Sequence, residues 1–174
     1  MIEAPVTVVV GNPKPQSRTR QAASLLAEQV AGRAPDHVVD VADLGVGLLG
    51  WGDPAVTAAR ETVAASGLVV VASPTFKATY TGLLKLFLDQ FEGGTGLAGV
   101  VAVPLMLGAA PVHAMAGELH LRPLLAELGA TVPAPALFCL DKTFADDDRI
   151  AGYATTWGPV LRHTASLTPE GATA

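Results

Sequence analysis

Short apolar runs alternate with stretches of helical periodicity along the whole chain, and this alternation limits the fold more than any other feature. The run PVTVVVG near the start reads as a buried strand, and residues 18–31 follow it with Ala22, Leu25, Leu26 and Val30 at helical spacing. HVVDVADL reads as a short second strand. DPAVTAARETVAAS then predicts a helix with Asp53 at its N-cap and Pro54 at its first position, and GLVVVASP a third strand. Residues 79–91 place Leu83, Leu84, Phe87, Leu88 and Phe91 on one helical face. LAGVVAVPLML supplies a fourth strand, residues 112–128 a helix closed by Gly129, and TVPAPALFCL a fifth strand whose prolines suit a sheet edge. DDDRIAGYATTWGPVLRHTAS is the last helix.

Strands alternating with helices imply an α/β domain whose parallel sheet is covered on both faces. Five strands suggest the flavodoxin-like three-layer sandwich, with strand order 2-1-3-4-5. A chain of 174 residues fits one domain, here 1–167, and TPEGATA (168–174) reads as a disordered tail. Half the residues are hydrophobic, ample for a core, while 16% are charged and the net charge is −5. That balance argues against a broad footprint on nucleic acid or acidic lipid. The single cysteine, Cys139, can form neither an internal disulfide nor a thiolate metal cluster, which fits a reducing cytoplasm. MIEAPVTVVVG is too short and too acidic for a signal sequence, and no apolar run approaches the roughly 20 residues that span a bilayer. The expectation is a soluble, cytoplasmic protein with no membrane or nucleic-acid partner.

In an open parallel sheet, ligands bind beyond the carboxyl ends of the strands where strand order reverses. Three loops qualify: residues 11–19, 73–80 and 107–112. The first, GNPKPQSRT, has neither the three glycines of a dinucleotide fingerprint nor the second glycine and lysine of a P-loop. It offers Asn12, Gln16, Ser17 and Thr19 with the cations Lys14, Arg18 and Arg20, next to a helix N-terminus that favours an anion. Hydroxyls and cations suit a terminal monophosphate, whereas a pyrophosphate needs close backbone approach. A capped helix start with solvated charges would look the same. The second loop, SPTFKATYTG, pairs a stiff Pro74 with Phe76, which can face a flat ring such as an isoalloxazine, or else serve the core or a dimer contact together with Tyr80. The third places Gly108 between a strand and a helix start, where backbone amides could stabilise a reduced flavin, or where it simply makes a turn.

The remaining polar residues carry less. His113 and His120 are two helical turns apart, about 10 Å, too far for one metal ion. His37 and His163 have no neighbouring ligands, and Cys139 reads as a buried thiol. Asp146 to Asp148 suit a helix cap better than a metal cluster, and Asp40 and Asp43 end the second strand or cap the turn after it. Ser73 lacks the glycine-flanked elbow of a hydrolase nucleophile. No metal site is expected.

GNPKPQSRT, SPTFKATYTGLLKLFLDQF and VPLMLGAAPVHAMAGELHLRPLLAELGA together resemble the NAD(P)H-dependent FMN reductases of the flavodoxin-like superfamily, and especially the reductase components of two-component alkanesulfonate monooxygenase systems. The likeness runs from about Val6 to about Phe144, and its specific part is the middle segment. It implies an FMN-binding domain with the phosphate at Asn12, Ser17, Arg18 and Thr19, and the ring at Pro74, Thr75, Phe76, Lys77, Gly108 and Ala109. Relatives carry a Thr-Gly-Gly-Thr type loop where this chain has Leu107, Gly108, Ala109 and Ala110, so two hydroxyls are lost while the amides remain. Some relatives insert an aromatic residue in the following helix, linked to a bulge and tetramer formation. Leu119 and His120 stand there in this chain, so the feature does not carry over.

The implied activity is hydride transfer from nicotinamide C4 of NADH or NADPH to N5 of FMN, with reduced FMN passed to a partner monooxygenase. The cofactor carries the chemistry, so the protein positions groups and needs no catalytic acid or base. Two alternatives stay open: a quinone, azo or metal-ion reductase that retains FMN, and a flavodoxin-like electron carrier without NAD(P)H turnover. A homodimer or homotetramer is expected from the apolar content.

Overall fold

The computed structural model describes residues 2–167. Its strands are β1 (Val6–Val10), β2 (His37–Asp40), β3 (Leu68–Pro74), β4 (Val101–Gly108) and β5 (Leu137–Leu140). They form one sheet in the order β2-β1-β3-β4-β5, with every pairing parallel, which is the flavodoxin-like arrangement. Val8 sits in register with Val38 on one side and Val70 on the other.

The continuous apolar runs follow from two cores, one on each face of the sheet. Val6, Val8, Val10, Leu68 and Val70 pack with Leu26 and Val30 of α1 (Arg18–Ala31) and Leu161 of α5 (Arg149–Ser166). Val9, Val69, Val71 and Met106 face the opposite way, onto Val56 of α2 (Pro54–Ala64), Phe87 of α3 (Gly82–Leu88) and Leu125 of α4 (Arg122–Glu127). Alternate residues of one strand thus enter different cores, and neither face tolerates an unpaired polar group. The exception in β1 is Thr7. Its hydroxyl lies 2.7 Å from that of Ser66, which in turn donates to the Thr62 carbonyl at 2.9 Å.

The expected helices 18–31 and Asp53-capped α2 are present, and the Asp53 carboxylate accepts the amides of Ala55 and Val56 at 2.9 and 3.1 Å. Other boundaries differ. β2 stops at Asp40, because the following residues coil into 3-10 turns (Val41–Leu49) broken at Gly45, φ +55°. Two prolines, Pro133 and Pro135, lack amides for the ladder and leave β5 only its last four residues, at the sheet edge as expected. α3 begins only at Gly82, because Thr81 caps it, and ends at Leu88 where 79–91 was expected.

The helix expected over 112–128 is divided. A 3-10 turn (Pro111–His113) and a π-helical turn (Gly117–Leu121) precede α4, and Gly129 closes it at φ +91°. Pro123 accounts for the wide turn, since it has no amide to donate to Leu119; the Arg122 amide reaches back to Gly117 instead. A bulge therefore exists without an inserted aromatic. At α5 the Asp147 carboxylate, rather than Asp148, accepts the Arg149 amide at 3.1 Å. The sequence TPEGATA lies outside the described residues. No helix among the described residues is long and apolar enough to cross a membrane.

Candidate functional site

β1 and β3 are neighbours whose outgoing loops diverge, and the space above their carboxyl ends is a cavity of about 300 Å³. The first loop contributes Asn12, Lys14, Gln16, Ser17, Arg18 and Thr19, and the later loops Pro74, Phe76, Leu107 and Asp141. Side chains far apart in sequence thus converge where the topology predicts.

The first loop is held by its own polar groups. Asn12 accepts the Lys14 amide and donates to the Thr19 hydroxyl, both at 2.9 Å. Ser17 caps α1 by accepting the Arg20 amide at 3.3 Å, and α1 begins at the cavity wall, where a helix start carries unpaired amides and partial positive charge. Gln16 adopts a left-handed φ of +50°, fixed by its amide donating to Asp40 Oδ2 at 3.3 Å. The loop's one glycine serves packing instead. A Cβ on Gly11 would stand 2.5 Å from Leu84 Cβ, so Gly11 lets α3 approach β1.

Asp40 is the residue that sequence reasoning undervalued. It ends β2 as expected, yet its side chain is only 1% exposed, lies 3.9 Å from Arg20, and leaves Oδ1 without a partner. Burial pushes its carboxyl above the usual carboxylate range, opposed by the Gln16 amide hydrogen bond and reinforced by the nearby charge of Asp43.

The second loop is a tight two-residue turn. Phe76 and Thr79 exchange backbone hydrogen bonds at 2.9 and 3.3 Å, and Lys77 and Ala78 between them have φ of +52° and +67°. Such a turn favours Asn-Gly, so Lys-Ala holds backbone strain here. The turn keeps Phe76 at the cavity wall, 51% exposed. Tyr80 instead packs partly buried against the second core. Ser73 has a structural role, donating to the Pro74 carbonyl and accepting the Thr81 amide.

Thr75 pairs its amide with the Leu107 carbonyl at 2.6 Å, but its buried hydroxyl has no partner. A Cβ on Gly108 would come within 2.7 Å of the Phe138 ring, so this glycine answers to packing under the third loop. Thr75, Lys77, Gly108 and Ala109 stand beside the cavity and do not form its wall, while Asn12, Ser17, Arg18, Thr19, Pro74 and Phe76 do.

Asp141, just beyond β5, escaped sequence reasoning, as did Leu107 as a wall residue. Arg18 Nη2 lies 3.1 Å from Asp141 Oδ2, and Nη1 donates to the Asp141 carbonyl at 3.2 Å. Elsewhere, His37, His120 and His163 are exposed, and the Cys139 thiol is pushed up to about 12 by burial. Among the described residues no group of three or more His, Cys, Asp and Glu side chains could hold a metal ion.

The cavity thus places cations and hydroxyls at one end and proline, aromatic and leucine surface at the other, the layout of a site for an anion joined to a flat apolar body. A family model described as NADPH-dependent FMN reductase matches residues 4–145. FMN reductase (NADPH) of Escherichia coli (strain K12) is 33% identical over 100 residues, 58% of this chain and 49% of that protein. The matched stretch thus spans about half the length of that relative. NADH-dependent FMN reductase SfnF of Pseudomonas putida is 31% identical over 129 residues, 70% of this chain and 69% of that one. Among solved structures, an apo NADH:FMN oxidoreductase (EmoB) superposes with a TM-score of 0.81 at 26% identity, covering 98% of this chain and 92% of that one. With the strand order, the cavity and a family match over most of its length in accord, the chain belongs to the NADPH-dependent FMN reductase family.

Proposed function

We propose that the protein is an NAD(P)H-dependent FMN reductase that delivers reduced FMN to a partner monooxygenase. The observation that carries this reading is the single cavity that joins the first loop's anion-binding set to Pro74, Phe76 and Leu107. Asn12, Ser17, Arg18 and Thr19 would hold the phosphate, with the start of α1 favouring its charge. Pro74, Phe76 and Leu107 would cover the ring. The buried Thr75 hydroxyl without a partner and the amide of Ala109, just past the end of β4, would offer polar contacts at its edge, beside Lys77, while Gly108 lies below them in the pairing of β4 with β5. These residues fit the group.

Bound FMN would supply a two-electron acceptor for the hydride of NADH or NADPH. The chain's own part is to orient the rings face to face and keep water from between them, for which no side chain need gain or lose a proton. Arg18 is 55% exposed at the cavity rim, which favours a flavin that exchanges with solution over a deeply enclosed one. Exposed Val46, Leu49 and Trp51 on one side, and Val112, Met115 and Leu119 on another, support assembly as a homodimer or homotetramer.

The test is oxidation of NADH and NADPH titrated in turn with FMN, FAD and riboflavin. The expected outcome is a colourless protein that oxidises the nicotinamide only when flavin is added, at lowest concentration with FMN. A yellow protein that turns over only with a second acceptor would overturn the exchange reading in favour of a retained-flavin quinone, azo or metal-ion reductase. Flavin binding without nicotinamide oxidation would leave an electron carrier.

A further inference from the structure

Of the first loop's three cations, two are directed at carboxylates: Arg20 lies 3.9 Å from Asp40 and Arg18 3.1 Å from Asp141. Lys14 makes no ion pair among the described residues. The Arg18 contact is the unusual one, because both partners line the cavity and one carries the charge an arriving phosphate would oppose. Asp141 is held there by the fold. Its amide donates to the Gly108 carbonyl at 3.0 Å, extending the pairing of β5 with β4 beyond the strand, and its carbonyl accepts Arg18 Nη1 at 3.2 Å. The guanidinium is thereby gripped at two points, by the carboxylate and by the backbone of one residue.

We propose that Asp141 competes with the flavin phosphate for Arg18 and so sets the affinity for FMN low enough for exchange. The inference rests on the reading of the cavity as an FMN site. A phosphate entering beside Ser17 and Thr19 must draw Arg18 from Asp141, and then lies near an uncompensated carboxylate of like charge. The pair is partly exposed, with side chains 55% and 27% accessible, so the exchange of partners lowers the affinity by no more than about tenfold and remains reversible. A flavin without phosphate asks nothing of Arg18. Asp141 therefore discriminates between flavins and acts as a positioning residue, since its influence passes through Arg18.

The test compares dissociation constants for FMN and riboflavin, by quenching of flavin fluorescence, in the wild type, Asp141→Asn, Arg18→Ala and the double variant. Asparagine keeps the shape and the backbone contacts while removing the charge, and Asp141→Ser repeats the test without the amide. Asp141→Asn should tighten FMN about three- to tenfold and change riboflavin by less than about twofold, and most of that gain should vanish in the Arg18→Ala background. An unchanged FMN-to-riboflavin ratio in both Asp141 variants would overturn the proposal, as would an equal gain without Arg18. Failure of the wild type to bind either flavin would instead remove the FMN reading on which it stands.

Discussion

Thr81 Oγ1 donates to the Gly11 carbonyl at 2.6 Å while accepting the Leu84 amide at 3.1 Å. One buried hydroxyl thus caps α3 and ties the end of the second loop to the start of the first. Across the same contact Gly11 lies against Leu84, so the two halves of the candidate site are joined by a hydrogen bond and a close packing contact together. Thr81→Ala should cost about 2–3 kcal/mol of stability, combining a lost cap with a carbonyl left unpaired. Urea denaturation measures it. A loss under half that figure would mean that the loops are joined by other contacts.

Arg18→Ala should weaken FMN about tenfold and leave riboflavin nearly unchanged, because a charge-assisted hydrogen bond to phosphate is assigned to the guanidinium. Isothermal titration with each flavin tests the assignment. Equal losses for both would place Arg18 away from the phosphate.

The second loop holds its strain in exposed residues. Ala78 has a left-handed φ of +67° that its Cβ resists and that glycine adopts freely. Ala78→Gly should raise stability by about 0.5–1 kcal/mol, the relief of strain exceeding the extra entropy of a glycine in the unfolded chain. Thermal denaturation showing a lower midpoint would mean that the turn is not strained at this residue.

Asp40 should give folding a pH dependence of unusual sign for a carboxylate. Its pKa is raised above the ordinary value of 3.8 in the folded state, chiefly by burial, so the folded chain holds this proton more tightly than the unfolded one. The stability it contributes is fully present below the ordinary value and is lost as pH rises through the raised one. Asp40→Asn removes that component. In urea titrations between about pH 4 and 7, wild-type stability should fall relative to the variant as pH rises. A difference that is flat with pH, or of opposite slope, would contradict the shift.

Trp51 is 78% exposed beside Leu49 at 75% and Val46 at 84%, an apolar group that water covers in a single chain. Trp51→Glu should shift the protein to a smaller species in sedimentation velocity if copies associate through this face. A monomeric wild type would dismiss the oligomer outright.

Element order, the parallel sheet and the first two loops that meet at the cavity were legible in the sequence. The signals were local: buried strands read as unbroken apolar runs, α2 carries its cap in Asp53, and hydroxyls and cations before the start of α1 mark a candidate anion site. Pro123 was a visible warning of the divided helix, since a proline cannot continue the α pattern past Leu119.

Only the tertiary structure decided the relations between residues distant in the chain. Parallel pairing brings Asp141 onto Arg18 across 123 positions and Asp40 under Gln16 across 24. Gly11 and Gly108 have the sequence context of ligand-facing glycines, and in the fold they are small because Leu84 and Phe138 press on them. Periodicity and spacing report how a segment meets the core in general. Which carboxylate faces which cation depends on strand order and register, and those are settled only when all five strands pair at once.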